Sequence, residues 1–318
     1  MNPLAGASKR MKKSLIVPIY RNEENIEDLI EALNSLHQCI EDLEVVFVID
    51  GSPDRSGEYI LSLETSINFS SQLIYHSRNF GSFMAIRTGI EFARGELIAV
   101  MAADLQEPPE LIKSMFKVLE SDSADVVFGK RIQRHDSLIG DSFSFVFWWF
   151  YRKFVINSMP PGGVDIFACN LKVSDAILEI SEPNSSLVAQ LFWVGFRRTF
   201  IKYNRRPRTK GTSAWKFNKK VRYMMDSIFT FSDLPIILVL WMGLLGCVIA
   251  LSFGAFVGIA RVFNLVDVPG YAGIVLIITF CFSVLLFVQG VFGVYIWRTF
   301  ENTKSRPLRI IQQRVVLD

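Results

Sequence analysis

The chain has 318 residues, half of them hydrophobic, with 27 phenylalanines and a net charge of +3. That length holds one sizeable domain and something more, and so small a charge gives no argument for a nucleic-acid partner. Four scattered cysteines (Cys39, Cys169, Cys247, Cys281) without a CxxC pair, and three histidines without ligand spacing, argue against a disulfide framework or a zinc site and fit a reducing compartment.

The basic opening MNPLAGASKRMKK runs into SLIVPIY, an apolar run too short for a signal peptide and closed by RNEEN. The front of the chain is therefore expected on the cytoplasmic side. Leu15 to Ile19 reads as a strand. In NIEDLIEALNSLH, residues Ile26, Leu29, Ile30, Leu33 and Leu36 recur at helical spacing on one face. LEVVFVID is a continuous buried strand ending in the turn GSPDRSG. SQLIYHS, ELIAVM and ADVVFG read as further strands, with FMAIRTGIEFA and PELIKSMFKVLE as the helices between them. This alternation predicts βαβ units and an α/β fold on a mainly parallel sheet. In such Rossmann-like sheets ligands gather beyond the carboxyl ends of the strands. Asp50 and Asp104 stand at two of those ends.

The second half changes character. No charged residue occurs from Leu234 to Ala260, nor from Val268 to Trp297. Each run exceeds the roughly 20 apolar residues that cross a bilayer, which predicts a two-helix transmembrane hairpin. Basic residues crowd KFNKKVRY before the pair and WRTFENTKSRPLRIIQQR after it, while the loop RVFNLVDVP holds one Arg and one Asp. By the positive-inside rule both ends face the cytoplasm, giving a multi-pass protein of the plasma (inner) membrane with its termini inside. Before the hairpin, SFSFVFWWFYRKFVINS and WKFNKKVRYMMDSIFTFSD mix aromatic and basic residues. They read as amphipathic helices of the headgroup layer, the alternative being helices packed on the sheet.

Three groups of residues carry chemistry. Pro18 and Tyr20 end the first strand, where an aromatic edge and exposed backbone can meet a base. Asp50 can accept hydrogen bonds from ribose hydroxyls or base donors. Arg78, just before a helix, brings a guanidinium and free backbone amides to a diphosphate. Asp104 offers carboxylate oxygen to the hard divalent cation that diphosphate chemistry uses, and Gln106 adds a carbonyl or orients a metal-bound water. The plainer reading of Asp104 is an N-cap for the helix starting near Pro108. Arg131, Arg134, Arg205, Arg206, Arg208 and Lys210 suit a second phosphate in a lipid headgroup, or a nonspecific attraction to anionic lipids.

Taken in order, VPIYRNEENI, FVIDGSPDRS, SRNFGSFMAIRTG, AADLQEPPELI, GKRIQR, WVGF, YNRRPRTKGTSAW, DSIFTFSDLPI and ENTKSRP resemble the polyprenyl-phosphate glycosyltransferases of glycosyltransferase family 2, from about residue 13 to 310. The resemblance implies a GT-A fold, a nucleotide-sugar donor, Mg²⁺ or Mn²⁺, and inverting transfer to a polyprenyl phosphate. It leaves UDP or GDP open, with UDP favoured, and implies self-association into a homo-oligomer. Carried over by position, Pro18, Tyr20 and Asn22 would line the nucleotide pocket, Asp50 would contact the nucleoside, and Arg78 would lie at the diphosphate. Asp104 would be the metal ligand, with Gln106 beside it. Arg131, Arg134, Arg205, Arg208 and Ser213 would cradle the acceptor phosphate. Asp165, in GGVDIF, falls where the family carries an acidic residue at the reacting centre. The chain then divides into a nucleotide-sugar-binding core (1–135), an acceptor-side part with interfacial helices (136–233), the hairpin (234–298) and a cytoplasmic tail (299–318).

It also departs from the pattern. Ala102 replaces the first acid of Asp-x-Asp, Ile49 the first of Asp-Asp-Gly-Ser, and Arg21-Asn22 the usual Asn-Glu. Two alternatives stand beside a lipid-phosphate transferase: a non-catalytic relative that binds nucleotide sugar, which Ala102 and Ile49 favour, and a transferase acting on another lipid or a polysaccharide.

Overall fold

The structure, a computed structural model, describes residues 12–132, 149, 151–153, 155–160, 163–164, 166–182, 185–207, 217–232, 234–263 and 271–317. It forms two compact units, one from residues 1–221 with 307–318 and the other from 222–306.

The first unit is built on eight strands: β1 (Lys13–Ile19), β2 (Leu43–Ile49), β3 (Ser70–His76), β4 (Leu97–Val100), β5 (Val126–Arg131), β6 (Phe167–Asn170), β7 (Arg198–Tyr203) and β8 (Ile311–Leu317). They lie in the order β7-β5-β6-β4-β1-β2-β3-β8. β1 pairs in parallel with β2 and β4, β2 with β3, and β5 with β7. β6 runs against β4 and β5, and β8 against β3. The expected mainly parallel sheet is thus mixed, with two reversed strands.

Helices α1 (Ile26–Cys39), α2 (Ser56–Ser62), α3 (Ser82–Phe92), α4 (Pro109–Glu120), α5 (Leu171–Glu179) and α6 (Leu187–Trp193) complete the unit. All seven residues of β2 are buried, as a strand covered on both faces requires. Val45, Phe47 and Ile49 join the large core with Leu29 and Leu33 of α1 and Ile112 and Phe116 of α4. Val46 and Val48 face the other way, in a second cluster with Ile74 of β3 and Ala85 of α3. In α1 the buried side chains are Ile26, Leu29, Ile30, Leu33 and Leu36, the predicted stripe.

One part of the sequence reading is corrected here. The stretch 299–318 is not a tail, because residues 311–317 are the edge strand β8 of the sheet. Arg314 explains the anchoring: its Nε and Nη2 donate to Gln72 Oε1 on β3 at 3.1 and 2.7 Å, and its guanidinium lies over the Phe92 ring.

The second unit takes in most of α7 (Phe217–Phe231), then α8 (Leu234–Val262) and α9 (Tyr271–Thr303). Arg298 of α9 donates to Asp226 Oδ1 and Thr230 Oγ1 of α7 at 2.7 and 2.9 Å. Among the described residues one segment, Phe280–Thr303, is long and apolar enough to cross a membrane. Leu240, Trp241 and Phe256 of α8 and Ile296 of α9 are all at least 60 % exposed.

Candidate functional site

β1 to β5 and β7 point the same way, so the segments that follow them meet at one edge of the sheet. Pro18, Tyr20, Asp50, Arg78, Asp104, Gln106, Arg131 and Arg205 all belong to that edge.

The loops after β1 and β2 are laced together. Arg21 takes a left-handed backbone (φ 57°) and its amide donates to Ser52 Oγ at 2.7 Å. Asn22 accepts the Tyr20 amide at 3.2 Å on Oδ1, and its own amide donates to Ser56 Oγ. Asp54 ties the knot, accepting the Ser52 and Ser56 hydroxyls at 2.6 and 2.8 Å and the Glu23 amide at 3.2 Å. Burial pushes the Asp54 pKa up, but these hydroxyls and amides outweigh it and hold it below the ordinary carboxylate value. The Asn22 side chain therefore helps build the loop, through the amide of half-buried Tyr20.

Asp50 departs from expectation. Its side chain is only 3 % exposed, because the strand alternation continues past β2 and turns residue 50 to the face that α3 covers. Oδ1 accepts the Phe80 amide at 2.8 Å and lies 2.9 Å from His76 Nδ1, while Oδ2 accepts the Gly81 amide at 2.8 Å. Asn79 Nδ2 donates to the Asp50 carbonyl. A carboxylate engaged in this way clamps the loop after β3 rather than reaching a nucleoside. The two amides it takes are among those expected to be open to a diphosphate. Gly51 completes the clamp: at φ +56°, a Cβ there would lie 2.2 Å from the Arg78 carbonyl carbon. Arg78 itself is exposed, its guanidinium 4.2 Å from the Phe80 ring centroid.

Asp104 lies half-buried in the turn after β4, with its Oδ1 accepting the Gln106 amide at 3.3 Å. It caps no helix, since α4 begins at Pro109 with Pro108 in the cap position. Leu105 has φ +53°, a reversal that sends Gln106 toward the segment after β7. There Arg206 N donates to Gln106 O at 2.9 Å, and Gln106 Nε2 donates to Arg206 O at 3.3 Å. Arg205 lies 3.5 Å from Glu107, a side chain 1 % exposed, and Arg206 lies 3.7 Å from Glu110. Arg131 comes to the same corner, since Arg131 pairs with Tyr203 and the Ile132 amide donates to Tyr203 O. The carboxylate expected for a metal and arginines expected for a second phosphate thus occupy adjacent loops. Glu107 and His76 were outside the predicted site; buried Glu107 carries no sequence signal beyond its place in the QEPPE turn.

Arg134, Asp165, Arg208 and Ser213 lie outside the described residues. Among the described residues no three His, Cys, Asp or Glu side chains converge on one point. A lone carboxylate at a strand end still fits a hard cation that draws its remaining ligands from phosphate and water.

The profile of the glycosyl transferase family 2 matches residues 14–172. Over 300 residues the chain is 31 % identical to an uncharacterized glycosyltransferase of Synechocystis sp., covering 94 % of each. It is 29 % identical over 308 residues to the bactoprenol glucosyl transferase of Shigella phage SfX, covering 96 % of this chain and 100 % of that one. With the undecaprenyl-phosphate 4-deoxy-4-formamido-L-arabinose transferase of Yersinia enterocolitica it shares 29 % identity over 315 residues, covering 97 % and 95 %.

Proposed function

The chain belongs to glycosyl transferase family 2 and is a glycosyltransferase, and from that premise we propose that it moves a sugar from a nucleotide sugar to a polyprenyl phosphate at a membrane surface. The observation that carries this reading is the lacing of the Asp104 turn to the Arg205–Arg206 segment through Gln106. It supports the reading by joining the loop of the proposed metal ligand to the loop of the arginines proposed for the acceptor phosphate. Two relatives named for a polyprenol differ in the sugar of their names, which supports a shared acceptor and leaves the sugar open. A UDP-sugar is the favoured donor. The exposed apolar side chains of α8 and α9 support a bilayer setting, since water does not tolerate so large a continuous apolar face. Both apolar runs then span, with basic flanks on the cytoplasmic side.

In this mechanism a phosphate monoester, already anionic at neutral pH, needs no strong base. Its oxygen bonds to the anomeric carbon as the carbon–oxygen bond to the nucleotide diphosphate breaks in line. The electron pair leaves with the diphosphate, and the configuration inverts. Arg78 meets the departing charge, while Arg131 and Arg205 hold the incoming phosphate in place. Asp104 would hold a divalent cation, which supplies charge neutralisation on the diphosphate. Asp165 orients a sugar hydroxyl or the nucleophile.

The test is nucleotide diphosphate release by purified protein across UDP- and GDP-sugars with Mg²⁺ or Mn²⁺, with and without undecaprenyl phosphate. Release with one sugar, dependent on the lipid and lost in Asp104→Asn, is the expected result. Release indifferent to the lipid would sink the acceptor assignment.

A further inference from the structure

An exposed arginine on a loop has no fixed direction of its own, so something must aim Arg78. A buried histidine is placed to do so. His76 ends β3 with a fully buried side chain. Its Nδ1 lies 2.9 Å from Asp50 Oδ1 and its Nε2 lies 2.8 Å from Thr88 Oγ1. Thr88 belongs to α3, where its hydroxyl is also 2.9 Å from the Met84 carbonyl. The ring therefore joins the end of β2 to the body of α3, across the loop that carries Arg78.

Two routes lead from His76 to that loop. One runs through Asp50, which captures the Phe80 and Gly81 amides at 2.8 Å each. The other runs through aromatic contact: the Phe80 ring stands edge-on to His76 at 5.5 Å and 86°, and the Arg78 guanidinium stacks on Phe80. The backbone cannot relax around these contacts, because Gly51 is already packed against Arg78 and Asn79.

We infer that Thr88, His76 and Asp50 form a relay that aims Arg78 at the diphosphate of the donor, with His76 as a positioning residue that touches no substrate. The inference rests on the proposed donor-side role of Arg78. Losing His76 leaves Asp50 with its two amide partners but removes the side-chain donor that sets its orientation. His76→Phe keeps a ring beneath Phe80 and so removes the polar route alone, through which Asp50 sets the loop. Binding geometry held by such supporting contacts degrades without any loss of the contacting group itself.

The experiment is calorimetric titration of the full chain in detergent with UDP and with GDP. Arg78→Ala is expected to weaken binding about tenfold, as loss of a charge-assisted contact does. His76→Phe should weaken it about fivefold and Thr88→Val about twofold, both through Arg78. The double variant His76→Phe/Arg78→Ala should bind within about twofold of Arg78→Ala alone, because the relay then has nothing left to aim. Thr88→Val changes little volume and gives a second cycle if His76→Phe does not fold, in which the double variant with Arg78→Ala should bind as Arg78→Ala alone does, without the further twofold loss. Losses that multiply in the double variants would overturn the relay while leaving Arg78 as a donor contact. Unchanged binding in Arg78→Ala would overturn the role of Arg78 and the relay together. Failure of the unaltered protein to bind either nucleotide would remove the nucleotide-sugar reading, and the relay with it.

Discussion

Gln106 and Arg206 hold each other by two hydrogen bonds, backbone to backbone at 2.9 Å and side chain to backbone at 3.3 Å, across 100 residues of sequence. Because one bond survives truncation of the side chain, Gln106→Ala should loosen the loop after β7, proposed to hold the acceptor, without releasing it. The KM for undecaprenyl phosphate is expected to rise about fivefold, with nucleotide affinity unchanged. Steady-state kinetics with each substrate varied in turn would read this, and a rise confined to the nucleotide would contradict it.

Asp104 is expected to be less forgiving. Asp104→Asn keeps the shape and the hydrogen bond to the Gln106 amide but removes the charge. Its kcat/KM should fall about 100-fold or more while the circular dichroism spectrum stays the same. Raising Mg²⁺ or Mn²⁺ would recover part of the loss if the carboxylate binds the cation.

Gly51→Ala is predicted to be costly. The substitution forces a side chain into a left-handed backbone and toward the Arg78 carbonyl carbon. Strain of this kind costs about 1–3 kcal/mol and the overlap adds to it. Denaturant unfolding would measure the loss.

Arg314→Ala should weaken the sheet's outer edge. It removes both donors to Gln72 Oε1, an amide 1 % exposed. Leaving that buried acceptor without them costs about 1–3 kcal/mol. Hydrogen exchange should rise along β8 and the adjoining β3, and stay unchanged in α1.

Acid should act at Asp125. The Arg197 guanidinium holds this carboxyl down at about 2 against the opposing effect of burial, with Asn170 adding a further bond. Its folded pKa lies below its unfolded one, so its contribution is complete above the ordinary carboxylate range. It drains away as the pH falls through that range toward 2. Between about pH 5 and pH 2.5, Asp125→Asn should lose less stability than the unaltered protein, from a lower starting point.

The strands and the helices between them were legible because β2 is apolar at every position but Glu44 and α1 repeats its apolar stripe at helical spacing. The position of Asp104 at a strand end followed from that alternation alone. The role of Asp50 did not, although the signal was available: Val45, Phe47 and Ile49 share one parity, so residue 50 had to face the other layer. β8 escaped because IQQRVVL carries three consecutive polar residues and alternates only weakly. Its partner strand lies at the far end of the sequence, where no local pattern reaches. The pairing of Gln106 with Arg206 is hidden for the same reason, as a contact between two loops.

β8 also imposes an order of events on the chain as it is made. β3 emerges early from the ribosome, but the strand that covers its open edge follows only after α8 and α9 have been synthesised. Until then β3 presents bare amides and carbonyls to whatever is nearby. The catalytic unit therefore finishes its sheet only after the apolar helices have left the ribosome, so a product interrupted among those helices carries an unfinished sheet and a sticky edge.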